Sequence, residues 1–109
     1  MQMNLWEIDG QTVKDNETYT VTDNTLLRNL VVSSTTLHSG KSTSGHRHEG
    51  QEEVYMFLKG HGIMELDDKE LYVIEGDCVL IEDGVFHRVH NQGSGDMYFV
   101  CVFDGGRNH

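Results

Sequence analysis

Apolar residues along this chain fall in short runs separated by Gly, Asn, Asp and Ser, and nowhere at the three-to-four spacing of an amphipathic helix. Seven runs have strand length: 28–38 (RNLVVSSTTLH), 53–59 (EVYMFLK), 63–66, 71–74, 78–81, 86–91 (FHRVHN) and 97–103 (MYFVCVF). Segments 5–8 and 18–21 read as short strands in an otherwise polar stretch, and 43–48 as a further strand. With no proline, the turns at 39–42, 60–62, 67–70, 82–84 and 92–96 are left to Gly, Asn, Asp and Ser. Alternation predicts that Glu53, Tyr55 and Phe57 share one face while Val54, Met56 and Leu58 take the other. It likewise puts His87, Val89 and Asn91 together, with Arg88 and His90 outward. For 28–38 it leaves two parities open, Asn29 through Leu37 or Leu30 through His38. A strand apolar on both faces needs cover beyond the barrel wall, which predicts a second sheet or a homodimer.

The 109 residues fit one domain, long enough to bury roughly 60–68% of its unfolded surface. Expected boundaries are an N-terminal arm over 1–25 covering a sheet edge, a barrel over 26–104 and a tail over 105–109. Eight Lys and Arg against 18 Asp and Glu give a net charge of -10, which argues against nucleic acid and anionic membranes as partners. The start, MQMNLWEIDG, lacks a basic region followed by a long apolar one, and no apolar run approaches a membrane span. The expectation is a cytoplasmic protein whose partner is a small molecule. Cys78 and Cys101 sit inside apolar runs and read as two reduced, buried thiols.

The chemistry is concentrated in two stretches. In GKSTSGHRHEGQEEVYMFLKG, residues 40–60, His46 and His48 are two apart and so point the same way on an extended chain, with Arg47 opposed. Glu53 opens the next run and sends its carboxylate toward them; Glu49 and Glu52 are rivals if the register slips by one. His87 comes from the second stretch, residues 76–91. Three imidazoles and a carboxylate suit one divalent first-row transition ion, Fe, Mn, Ni, Zn, Co or Cu, better than calcium or magnesium.

These two stretches resemble the paired motifs of the cupin superfamily. Gly40, His46, His48, Glu53 and Gly60 fall on the fixed positions of the first, G-x5-H-x-H-x3,4-E-x6-G. Gly76, Gly84, His87 and Asn91 fall on those of the second, G-x5-P-x-G-x2-H-x3-N, with Glu82 where the family has proline. The resemblance implies an all-β fold, an antiparallel double-stranded β-helix or jelly-roll barrel in a single domain, with His46, His48, Glu53 and His87 holding a metal inside. It also implies Lewis-acid chemistry on a carbohydrate-derived or hydroxy-carboxylate compound, as in cupin isomerases, epimerases and lyases. The same ligands permit an Fe(II) dioxygenase or a non-catalytic sugar-binding or regulatory barrel.

Tyr55, one step beyond Glu53 on the same face, is the candidate base, and Glu53 the other catalytic candidate. Some small cupin lyases resemble this chain in having a tyrosine two residues after the ligand glutamate. A phenol acts as a base at neutral pH only where a cation favours its anion. Arg107, Arg28 and His38 are candidates for holding substrate, with Lys41 and Lys59 as further cations.

Overall fold

A computed structural model describes residues 1–105. Nine strands and no helix make up the described residues: β1 Gln11–Asp15, β2 Tyr19–Asn24, β3 Leu30–Leu37, β4 Glu53–Lys59, β5 Gly62–Leu66, β6 Lys69–Val73, β7 Cys78–Ile81, β8 His87–Asn91 and β9 Met97–Asp104. One six-stranded sheet runs β1-β2-β3-β9-β4-β7 and faces a three-stranded sheet, β6-β5-β8, with every pairing antiparallel. The all-β, jelly-roll expectation holds.

Alternation decides what each strand buries. Glu53, Tyr55 and Phe57 on β4 and His87, Val89 and Asn91 on β8 are buried, and their alternates are half-buried. The open parity of β3 resolves to Val31, Ser33, Thr35 and Leu37 inward. Leu37, Phe57, Met64, Val73, Val89, Met97 and Phe99 are essentially inaccessible and fill one end of the space between the sheets. Each such side chain contributes about 1.5–3 kcal/mol by leaving water. Within the small sheet, β5 and β8 approach so closely at this end that a Cβ on Gly62 would lie 2.0 Å from the His90 carbonyl oxygen, so only glycine fits.

Four expectations change. Residues 5–8 form no strand, only a bridge between Asn4 and Glu7, and Trp6 stacks on Tyr98 at 5.4 Å. Residues 11–24 form a hairpin continuous with the large sheet, and its first strand, β1, has no apolar run to announce it. Segment 43–48 is extended but is not a strand; isolated bridges tie Ser42 to His90 and His46 to His87. Cys78 is exposed, because β7 is the outer strand of its sheet and Cys78 faces outward, whereas Cys101 is buried. Both thiols are free, and with β4 between their strands they stand roughly 10 Å apart, too far for a disulfide.

Candidate metal centre

Glu53 and His87 each open a strand, β4 and β8, so they stand at the end of the barrel away from the packed aromatic floor. His46 is brought to His87 by paired backbone bonds, His46 N to His87 O at 3.1 Å and His87 N to His46 O at 3.0 Å. Gly45, with φ of 71°, lets the chain pass the Phe86 ring: a Cβ there would lie 2.7 Å from it. His48 follows on the same side, its carbonyl accepting from Gly84 N at 3.0 Å.

Because segment 43–48 lacks a continuous ladder, side chains supplement the few backbone bonds that hold it. Thr43 Oγ1 accepts from Val89 N at 3.0 Å, Arg88 Nε donates to Thr43 O at 2.7 Å, and Arg47 donates to Gly84 O. Ser42 Oγ lies 2.6 Å from His90 Nδ1, and the other nitrogen of His90 meets the Glu65 carboxylate. His90, read from alternation as an outward residue, thus fastens the segment that carries two donors.

One donor atom from each of His46, His48, Glu53 and His87 lies within 4.8 Å of the others. Glu53 and His87 are 8% and 2% exposed. Glu53 Oε1 and His87 Nε2 approach to 3.1 Å without hydrogen-bond alignment, and both are buried atoms with no hydrogen-bond partner. His87 Nδ1 lies 3.1 Å from the Val85 carbonyl, which only an N–H can satisfy. In the neutral ring Nε2 is then a bare lone pair facing a carboxylate, an arrangement that a cation relieves. The donor set therefore fits a divalent metal ion.

Electrostatics agree with that reading. Burial works to lower His87, but the Glu53 carboxylate and the Val85 carbonyl outweigh it and its pKa is raised. His46 is lowered, first by burial and then by the neighbouring His87 and His48 rings. Burial pushes the Tyr55 phenol well up, reinforced by Cys101 and Glu53, so at neutral pH it is protonated. Without a bound cation that is the opposite of what its expected role as a base requires.

His46, His48 and Glu53 line a cavity of about 250 Å³ walled also by Val21, Tyr55, Phe99 and Phe103 and carrying Asp23 and the exposed Lys14. Of the substrate-binding candidates, His38 sits beyond the far end of β3, paired with Asp96 at 3.1 Å, and does not line the cavity. Arg28, in the bend before β3, and Lys41 and Lys59 do not line it either, and Arg107 lies outside the described residues. The cation that does reach it is Lys14, which sequence reasoning passed over.

Residues 33–103 match the Cupin_2 family model, described as a cupin domain, and the chain belongs to the cupin family. It is 33% identical over 66 residues, 61% of this chain and 54% of the relative, to an oxalate-binding protein of Thermotoga maritima. It is 34% identical over 62 residues, 57% and 50% of the two chains, to an uncharacterized protein of Methanocaldococcus jannaschii. The match thus spans about half the length of these curated relatives. Among solved structures, a predicted oxalate decarboxylase from Thermotoga maritima superposes with a TM-score of 0.75 at 25% identity, covering 95% of this chain and 98% of the other. KdgF from a Halomonas species superposes with a TM-score of 0.77 at 17% identity, covering 93% and 91%. Among the described residues, no helix is long and apolar enough to cross a membrane.

Proposed function

We propose that this cupin is a metal-dependent enzyme acting on a small hydroxy- or oxo-carboxylate, by removal of a proton in an isomerase, epimerase or lyase reaction. The observation that carries it is the pair of buried, unpartnered donor atoms, Glu53 Oε1 and His87 Nε2, in a cluster whose Glu53, His46 and His48 line an open cavity. The names of the two Thermotoga maritima relatives support the carboxylate part of the reading. At about 250 Å³ the cavity falls below the roughly 300–1,000 Å³ that drug-sized ligands occupy, which favours a compact metabolite.

His46, His48, Glu53 and His87 would hold a first-row divalent ion, which when bound would supply Lewis acidity to a carbonyl or carboxylate oxygen. The chain's own residues do the rest. Val85 fixes the His87 ring through Nδ1, and Val21, Phe99 and Phe103 keep water from the apolar side of the cavity. Tyr55, protonated, offers a hydrogen bond to an oxygen on which charge develops. Asp23, a carboxylate on the wall and outside the donor set, is the group left to take the proton, steadied by Ser33 Oγ at 2.6 Å.

A homodimer belongs to this reading. Val32, Val54, Met56 and Val102 on the outer face of the large sheet are only half-buried in one chain, and Leu30 and Leu80 beside them are exposed. Sedimentation at micromolar concentration tests it.

Metal-loaded protein incubated in D2O with a panel of hydroxy-carboxylates and sugar acids should exchange the hydrogen next to the carboxylate of its substrate, read by proton NMR. Binding without exchange across the panel would leave a carboxylate-binding barrel instead, as the name of the oxalate-binding relative suggests.

A further inference from the structure

The hairpin β1–β2 carries an irregularity at one place only: Thr12 pairs with Thr22 and Lys14 with Val21, so Val13 is an extra residue in the ladder. Directly paired side chains lie on the same face of a sheet, and a bulge re-aims those that follow it. Tyr19, Val21 and Asp23 line the cavity, whereas Thr20 bonds Asp15 at 3.0 Å and Thr22 lies 3.4 Å from Thr12 on the other face. In an unbroken register Lys14 would oppose Thr20 and face away. The extra residue turns it to the cavity side instead.

Lys14 is the only Lys or Arg lining this cavity among the described residues. Its ammonium donates to Tyr19 Oη at 3.1 Å and stands 5.3 Å from that ring's centroid, and it makes no ion pair among the described residues. An ammonium has three donors, so two remain for a ligand. Tyr19 is tuned by the same contact: hydrogen bonds from Lys14 and then from Ser44 lower its phenol. With the carboxylates of Asp23 and Glu53 also on the wall, Lys14 is the one lysine or arginine among the described lining residues to offset them for an anionic ligand.

Resting on the metal-centre reading, we propose that Lys14 and the Tyr19 hydroxyl form an anion anchor at the cavity mouth, opposite the His46, His48, Glu53 and His87 donors, selecting a short dianionic carboxylate that spans the two poles. One carboxylate faces the donor cluster and the other accepts from Lys14 and Tyr19.

The test loads wild-type protein, Lys14→Met and Lys14→Arg with Co(II), and titrates each with malonate, succinate and the uncharged malonamide by calorimetry. The Co(II) absorption band reports the donor cluster independently. Lys14→Met should bind the preferred dianion at least roughly tenfold more weakly, with its Co(II) band and melting temperature unchanged and malonamide binding unaltered. Lys14→Arg should stay within about threefold, because it keeps the charge if not the shape. Equal dianion affinity in wild type and Lys14→Met, under a normal Co(II) band, overturns the anchor alone. Failure of wild type to bind either dianion, or to prefer it to malonamide, overturns it too. A wild-type protein with no Co(II) band, indistinguishable from His48→Ala, overturns the metal centre beneath it.

Discussion

Glu53 and His87 face each other across 3.1 Å of protein interior, and neither atom at that contact has a hydrogen bond. The cost of burying them is offset when a cation stands between them, or when His87 takes a proton.

Replacing Glu53 by Gln should therefore act in opposite directions with and without metal. In chelator-treated protein the amide can donate to the lone pair on His87 Nε2, and the variant should match or exceed wild type in urea unfolding. With metal at about a hundred times its dissociation constant, wild type should gain about 2.7 kcal/mol and the variant little. Equal destabilisation in both states would contradict the pairing.

Metal affinity should fall on acidification. Protons compete for the imidazoles, and His87, whose pKa is raised, holds its proton to higher pH than a free histidine. His46, whose pKa is lowered, gives up its proton first and should not set the midpoint. Zinc titrations between about pH 5.5 and pH 8 should show the loss, and a flat profile would speak against imidazole ligation.

Alkaline conditions should weaken the fold through Tyr55 and Cys101. Both have raised values in the folded chain, chiefly from burial, so each contributes fully below its ordinary value, 10.0 for the phenol and 9.0 for the thiol. Above those values the unfolded chain releases protons that the folded chain keeps, and stability is lost as pH rises toward the folded values. Urea midpoints taken at about pH 8 and pH 10.5 should converge less in wild type than in Cys101→Ala with Tyr55→Phe, which removes both groups.

Asn91, a fixed position of the family motif, serves the backbone and not the metal. Nδ2 donates to Leu37 O at 2.8 Å and Gly95 O at 2.9 Å, and Oδ1 accepts from Gly93 N at 2.9 Å. Asn91→Leu should cost at least about 2 kcal/mol by leaving these groups unpaired. The Co(II) band should remain.

The sequence made legible whatever depended on local alternation or on fixed spacing. The inward set Glu53, Tyr55 and Phe57, its counterpart His87, Val89 and Asn91, and the convergence of His46 and His48 all follow from a period of two. What was hidden depended on irregularity or on neighbours distant in sequence. Lys14 points at the cavity because one residue is inserted at Val13, and no alternation rule anticipates an insertion in a polar stretch; the doubled facing of Val13 and Lys14 is legible only from register. Cys78 looked buried because its run is apolar, but burial of an edge strand's outer face depends on what lies beyond it. His38 looked available at the end of a strand, and only the return of the chain at Asp96 shows where that end lies.

Phe57, Leu37, Met64 and Met97 fill one end of the barrel, the donors, Lys14 and Asp23 occupy the other, and Phe99 borders both. Folding and reactivity consequently draw on different residues of the same strands. A lineage of such proteins can exchange the side chains around the opening, and with them the compound that is accepted, while the aromatic floor continues to hold the two sheets together.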